Sequence, residues 1–211
     1  LDNYNPMDLI IEDLYLGNVM AASDYNFLKS VGITHIVRVL KEDEGTIFPQ
    51  FKYKIIPLHD LPDQNISKHF ASVHEFIDGA LNGNERRAVR NKVLVHCLVG
   101  MSRSSTMVIS YLMHKYPGYP LTKALKFVKS KRPIVNPNEG FLRQLKKFQT
   151  YLESKYLKEK EERRIKLVLD REKIERLRKQ DLLRQKQIVN SQQEYFEQFK
   201  KNMMDENYNE W

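Results

Sequence analysis

Cysteine is nearly absent from the sequence, since Cys97 is the one cysteine among 211 residues. No disulfide can therefore form within the chain, which excludes the disulfide frameworks of small secreted domains. A single thiol fits a reducing compartment, so we expect the protein in the cytoplasm or the nucleus. If Cys97 were oxidised, no second thiol of this chain could trap it as a disulfide.

Long hydrophobic runs are lacking as well. No stretch approaches the roughly 20 apolar residues of a membrane-spanning helix, so we predict no membrane span. Glycine and proline number eight each, and neither occurs from residue 151 onwards. Apolar residues still make up 41% of the chain, which is enough for a hydrophobic core over part of its length.

Acidic residues are outnumbered by basic ones, 27 against 35, which gives a formal net charge of +8. Phosphorylated or acidic substrates, nucleic acid and an anionic membrane surface all fit this balance. Net charge alone does not choose among these partners.

The hydrophobic pattern predicts an α/β domain over residues 1–154. Short apolar segments predict strands at residues 14–17 (an edge strand), 33–40, 53–58 and 92–96. Helical spacing of apolar residues predicts helices at residues 24–31, 66–80, 102–112, 121–131 and 139–152.

Residues 155–211 have a different composition, and 21 of the 34 residues from 153 to 186 are charged. Pairs such as Glu159 and Arg163 are four residues apart in the favourable order, which adds about 0.2–0.5 kcal/mol of helix stability each. Leu167, Ile174 and Ile188 share a heptad phase, but Asp181 interrupts it. We predict a long charged helix, with a weak coiled coil or partial disorder as alternatives. It is also the expected surface for a protein partner or for self-association.

The segment that carries chemistry is His96-Cys-Leu-Val-Gly-Met-Ser-Arg-Ser104. A buried strand leads into Cys97 and a helix is expected from Ser102, so the backbone N–H groups between them can converge on an anion at the helix N-terminus. Gly100 allows the backbone to bend there, and Arg103 offers a planar fork to two phosphate oxygens. The same positive field favours the thiolate, which makes Cys97 a nucleophile able to form a phosphocysteine intermediate.

A lone cysteine after an apolar strand is more often an inert core residue. His96, Gly100 and Arg103, with serines at 102 and 104, all stand at the spacing that the phosphate-binding loop requires. Their combination outweighs the inert alternative.

This segment resembles the signature of the dual-specificity protein phosphatases, a branch of the cysteine-based protein tyrosine phosphatases. Further segments resemble family landmarks in family order: Tyr15-Leu-Gly-Asn18, Gly32-Ile-Thr-His35, Ile56-Pro-Leu-His-Asp60, Ser110-Tyr-Leu-Met113 and Pro137-Asn-Glu-Gly-Phe141. The resemblance covers residues 7–152 and implies a mostly parallel five-stranded sheet flanked by helices. The catalytic domain would then be residues 1–154, and residues 155–211 a helical extension, as in a small atypical member.

The resemblance also implies roles for individual residues. Asp60 matches the position of the general acid and base, whereas Asp63, in the same loop, remains an alternative. Either carboxylate could instead cap the following helix. Ser104 would donate a hydrogen bond to the sulfur of Cys97. His96 and Asn138 would support the loop, although either could simply be a core residue or a helix cap.

The expected phosphate-binding residues are Leu98, Val99, Gly100, Met101, Ser102 and Arg103. No metal or other cofactor is expected, because the loop amides and Arg103 can neutralise the phosphoryl oxygens. Relatives that cleave phosphoinositides tend to carry lysines at 98, 99 and 101, so the neutral side chains there favour a phosphoprotein. By resemblance, the substrates are phosphotyrosine and phosphoserine or phosphothreonine.

Three alternatives remain open. The same fold could serve as an RNA 5′-phosphatase or as a lipid phosphatase, although nucleic acid is not an expected partner. The chain could also be a scaffold that acts mainly through its C-terminal helix. A basic loop with Arg86, Arg87 and Arg90 could bind a second phosphate or an acidic docking segment, or it could simply be solvated.

Overall fold

The computed structural model describes residues 5–41, 46–82 and 90–206. Contacts divide the chain into two units, residues 1–156 and residues 157–211. The first unit contains a sheet with helices on both of its faces. The second unit is helical.

Five strands form one sheet in the order β1-β2-β5-β3-β4. They are β1 (Met7–Ile11), β2 (Leu14–Gly17), β3 (His35–Val39), β4 (Lys52–Ile56) and β5 (Val93–His96). Only the β1–β2 pair is antiparallel among the pairings of these strands. The predicted mostly parallel five-stranded sheet is therefore confirmed.

The predicted position of residues 14–17 at an edge of the sheet is wrong. β2 pairs with β1 on one side and with β5 on the other, and β1 is the edge strand. Leu14 and Leu16 are completely buried, as an inner strand requires. The sequence analysis missed β1 because Asp8 and the partly exposed Leu9 weaken its apolar pattern.

Six α-helices and one 3₁₀ turn are found among the described residues: α1 (Val19–Ser23), α2 (Tyr25–Val31), the turn Ser67–His69, α3 (Phe70–Leu81), α4 (Arg103–Lys115), α5 (Leu121–Lys131) and α6 (Glu139–Glu206). The predicted helix after Asp24 is α2, and the Asp24 carboxylate accepts a hydrogen bond of 2.9 Å from the N–H of Phe27. Gly32 closes α2 with φ of 86°.

Alternate residues of the central strands enter two hydrophobic cores, one on each face of the sheet. Val93 and Val95 of β5 pack in one core, and Leu94 packs in the other. Apolar side chains of α3, α4 and α5 also pack in the first core. Every residue of α4 from Arg103 to Met113 is buried. This central helix fixes the end of β5, where Cys97 follows.

α6 is one uninterrupted helix of 68 residues. The predicted helix at 139–152 and the predicted charged helix belong to it, because no glycine or proline follows Gly140. All side chains from residue 160 to residue 202 are exposed. No helix in the described part of the chain is long and apolar enough to cross a membrane.

Candidate active site

Cys97 lies directly after β5, and only 1% of its surface is exposed. Its sulfur accepts hydrogen bonds from the backbone N–H of Gly100 at 3.3 Å and from Oγ of Ser104 at 3.1 Å. Donors directed at a sulfur favour its anionic form. The loop after Cys97 and the first turn of α4 therefore each direct one hydrogen-bond donor at the sulfur.

Gly100 has φ of 77°, a left-handed conformation that strongly favours glycine. A Cβ atom there would lie 2.5 Å from the carbonyl oxygen of Gly17 and 2.8 Å from Nη2 of Arg132. Both the backbone conformation and the close packing against β2 therefore require glycine at this position.

Arg103 is the first residue of α4, and its side chain is only 9% exposed. Nη1 donates a hydrogen bond of 3.0 Å to the carbonyl oxygen of Leu58. Nε lies 3.6 Å from Oδ2 of Asp60. The backbone after β4 thus holds the guanidinium next to the loop that follows Cys97.

Asp60 is joined by one hydrogen bond to the same loop and by another to the start of α6. Its Oδ1 accepts one from Oγ of Ser102 at 2.7 Å and another from Nδ2 of Asn138 at 2.8 Å. One third of its side chain remains exposed. Asp63, by contrast, is exposed and has no side-chain hydrogen bond to another described residue.

The start of α6 supports both the loop that carries Asp60 and the loop that follows Cys97. Asn138 caps the helix, because its Oδ1 accepts a hydrogen bond of 2.9 Å from the N–H of Phe141, while its own N–H donates to Oγ of Ser102. Gln144 holds the loop after Asp60 by donating to the carbonyl oxygen of Gln64 at 2.8 Å. Asn138 is therefore both a helix cap and a brace of the Asp60 side chain.

Comparison with known proteins shows the family of this chain. The family model "Dual specificity phosphatase, catalytic domain" matches residues 14–151. The chain belongs to the dual-specificity protein phosphatase family. It is therefore a protein phosphatase, an enzyme that acts on phosphoproteins.

Individual relatives cover most of the first unit. Dual specificity protein phosphatase 1 of Arabidopsis thaliana is 45% identical over 141 residues, which are 67% of this chain and 68% of that protein. The solved structure of DUSP15 matches with a TM-score of 0.60 and 34% identity over 70% of this chain and 95% of that one. The Yvh1 phosphatase domain from Chaetomium thermophilum matches with a TM-score of 0.62 and 34% identity, covering 69% and 96%.

The loop from Leu98 to Ser102 presents apolar side chains at its surface. Leu98, Val99 and Met101 are 43%, 45% and 38% exposed. Ser102 is buried, and its hydroxyl binds Asp60 rather than capping α4. The five residues between Cys97 and Arg103 thus combine a polar interior with an uncharged rim.

His96 is almost completely buried on β5. Burial lowers the pKa of its imidazole to about 4, so the ring is neutral near pH 7. Its Nδ1 has no hydrogen-bond partner among the described residues. The expected support of the loop through hydrogen bonds is therefore not seen at this nitrogen.

The basic loop of the sequence analysis is described only at Arg90, because Arg86 and Arg87 lie outside the described residues. Arg90 forms ion pairs of 2.7 Å with Glu12 and with Asp13. Its guanidinium is therefore engaged within the protein. No cluster of His, Cys, Asp and Glu suited to a metal ion occurs in the described ranges.

The sequence analysis missed Arg132, which is only 1% exposed. Its guanidinium donates hydrogen bonds to the carbonyl oxygens of Val99 and Gly100, both at 3.0 Å. It also forms an ion pair of 2.7 Å with Asp8. The available signal was an arginine that precedes Pro133 at the end of a helix, which does not by itself predict burial.

Proposed function

We propose that the enzyme hydrolyses phosphoproteins through a phosphocysteine intermediate. The Cys97 thiolate attacks phosphorus, forming the S–P bond while the bond to the leaving oxygen breaks. Loop amides and Arg103 bind the phosphoryl oxygens, and Asp60 donates a proton to the leaving oxygen. The sulfur of Cys97, held by Gly100 and Ser104 in this loop, is the observation that carries the proposal.

The second step regenerates the enzyme. Water attacks the phosphocysteine, Asp60 accepts its proton, and inorganic phosphate forms as the S–P bond breaks. The hydroxyl of Ser104, 3.1 Å from the sulfur, stabilises the departing thiolate. Asp60 is preferred over Asp63 because it contacts Ser102 and Arg103 of this loop and Asn138, which caps α6.

The proposed substrates are phosphotyrosine and phosphoserine or phosphothreonine. The exposed rim formed by Leu98, Val99 and Met101 carries no charge that would select a polyanionic head group. A thiolate nucleophile is protected from oxidation in a reducing compartment, so the proposed location is the cytoplasm or the nucleus.

Turnover of matched substrates tests this function. We expect the full chain to release phosphate from phosphotyrosine and phosphothreonine peptides and from an aryl phosphate, and Cys97→Ser to abolish all three activities. A 5′-triphosphorylated RNA and a phosphoinositide should be poor substrates. Preferential hydrolysis of the RNA or the lipid would contradict the phosphoprotein assignment. Turnover that survives Cys97→Ser would contradict the mechanism.

We also propose that the second unit forms an antiparallel dimer with a second copy of the chain. A seam is defined by residues at seven-residue spacing, namely Leu167, Ile174, Asp181, Ile188 and Tyr195. Its four apolar members are between 51% and 75% exposed. Burial of these side chains would favour association.

Charge selects the antiparallel direction. Residues 157–180 contain ten basic and six acidic residues, whereas residues 187–206 contain two basic and four acidic ones. Antiparallel pairing places these regions of opposite net charge together. Leu177 and Arg184 follow the seam residues Ile174 and Asp181 by three positions, so they lie on the same helix face. With Leu177 opposite Ile188 of the second copy, Asp181 falls opposite Arg184 of the second copy. Asp181, which interrupts the apolar heptad pattern, would then form an ion pair with Arg184 of the second copy, and this pair would fix the register of the two helices.

Light scattering on the full chain measures the expected dimer. Asp181→Arg should reduce its mass to that of a monomer, since two arginines would then face each other. Adding Arg184→Asp should restore the dimer by exchanging the two charges. Lys186→Glu, outside the seam, is the matched control. A monomeric wild type, or a double variant that stays monomeric, would contradict this arrangement.

A further inference from the structure

The buried Arg132 lies behind the phosphate-binding loop, at the end of α5. Its guanidinium reaches two carbonyl oxygens of that loop, those of Val99 and Gly100. Nη1 is held by the carboxylate of Asp8 at 2.7 Å and by the carbonyl oxygen of Asn5 at 2.9 Å. The ion pair with Asp8 offsets the cost of burying the charge.

Peptide geometry connects Arg132 to the nucleophile. The C=O and N–H groups of a trans peptide point in opposite directions within one rigid plane. The carbonyl oxygen of Val99 accepts a hydrogen bond from Nη2 of Arg132, and the N–H of the same peptide, that of Gly100, donates to the sulfur of Cys97. A single peptide plane therefore lies between the guanidinium and the sulfur.

The next peptide is held in the same way. Nε of Arg132 donates to the carbonyl oxygen of Gly100 at 3.0 Å, so the N–H of Met101 is directed away from Arg132. Space around this contact is small, because a Cβ on Gly100 would lie 2.8 Å from Nη2. Two consecutive peptides of the loop thus have their orientation fixed by one side chain.

We infer that Arg132 is a positioning residue for Cys97, and that it strengthens the loop amides as hydrogen-bond donors. A cation at a carbonyl oxygen polarises the peptide, which makes the N–H at its other end a better donor. Stronger N–H donors stabilise both the thiolate of Cys97 and the phosphoryl oxygens of the substrate. Arg132 does not contact the sulfur, and its action passes through the backbone. This inference rests on the proposed function of Cys97.

The pH dependence of Cys97 alkylation by iodoacetamide measures this effect, because Cys97 is the one thiol of the chain. Arg132→Met should move the midpoint of the alkylation profile upward by about one pH unit, a tenfold loss of thiolate at a given acidic pH. Arg132→Lys, which keeps the charge but cannot bind both carbonyls as a planar fork, should lie in between. Arg90→Met removes an equal charge away from the loop and should leave the midpoint unchanged.

Inhibition by inorganic phosphate gives a second readout, and it should weaken several-fold in Arg132→Met. A merely structural role would lower the melting temperature and leave the alkylation midpoint and phosphate inhibition unchanged, which would overturn the inference. If Arg132→Met does not fold, Arg132→Lys serves as the test: a raised alkylation midpoint supports the inference, and an unchanged midpoint overturns it. Alkylation requires no turnover, so a failure of the proposed function would be seen separately, as a wild type without phosphatase activity.

Discussion

Gly140 packs against Pro62 so closely that a Cβ at position 140 would overlap the carbonyl group of Pro62. Gln144, one helical turn further along α6, also accepts a hydrogen bond of 3.0 Å from the N–H of Ser67. The loop that carries Asp60 is therefore fixed by the first turns of α6. Residues around 140, far along the chain from Cys97, thus determine where the proposed general acid lies.

Gly140→Ala should displace this loop and with it the carboxyl group of Asp60. Since general acid catalysis contributes about 10²–10⁴-fold, we expect partial displacement to lower kcat about tenfold on phosphoserine peptides. The loss should be smaller on an aryl phosphate, whose leaving group needs less protonation. Steady-state kinetics on the two substrates measure the difference.

Gly79→Ala is the matched control, because nothing lies within 4 Å of a Cβ at this helical glycine. It should keep full activity and gain up to about 1 kcal/mol of stability from helix propensity. Equal losses on both substrates in Gly140→Ala would show that the glycine matters only for folding.

Asp60→Asn should flatten one limb of the bell-shaped pH profile of kcat, because an amide cannot donate and then accept the proton. We expect kcat to fall about 100-fold on phosphoserine peptides. Asp63→Asn, an equal change on the exposed side of the same loop, should leave the profile intact. The opposite pattern would assign the proton transfer to Asp63.

Ser104→Ala should slow the second step more than the first, since its hydroxyl contacts the sulfur at 3.1 Å. The phosphocysteine would then accumulate, and rapid quenching should reveal a burst of released leaving group. Ser110→Ala is the control, because that buried hydroxyl donates to the carbonyl oxygen of Met107 within α4, away from the loop. A burst of equal size in both variants, or in neither, would argue against a specific role for Ser104.

Local signals in the sequence predict most of the fold. A continuous stretch runs through β5, the loop after it and the start of α4, and each residue type in it suits its local structure. Spacing within this stretch is therefore enough to predict Cys97 and Arg103 as site residues. β1 is different, because an edge strand alternates between core and solvent and includes the partly exposed Leu9. Its pairing with β2 depends on tertiary contacts that a short window does not contain.

Contacts distant along the chain explain what the sequence analysis missed at the site. Arg132 is 35 positions after Cys97, and its partner Asp8 is 124 positions before it. Charged residues are normally exposed, and nothing in the segment around Arg132 indicates that β1, the residue Asn5 before it and the loop after Cys97 would converge on its guanidinium. The preference for Asp60 over Asp63 came from family resemblance, and the contacts with Ser102 and Asn138 now support it.

The buried imidazole of His74 should make stability depend on pH. Burial lowers its pKa to about 3, with the neighbouring His114 acting in the same direction, and Nε2 lies 2.9 Å from Oγ of Ser110. The unfolded chain binds this proton near pH 6.5, so the stabilisation is complete above pH 6.5 and is lost as the pH falls toward 3. The slope is about 1.4 kcal/mol per pH unit for one such group.

His74→Gln should reduce the slope of unfolding free energy against pH between pH 6 and 4 by about 1.4 kcal/mol per pH unit, the contribution of one proton. Urea unfolding at each pH measures this slope. The glutamine amide can still bond to Ser110, so the fold should be retained. The exposed His59, replaced by glutamine, should give the wild-type slope. His96, whose pKa is lowered to about 4, is present in both variants and should keep part of the dependence. An unchanged slope in His74→Gln would mean that the buried imidazole takes up its proton without unfolding the domain.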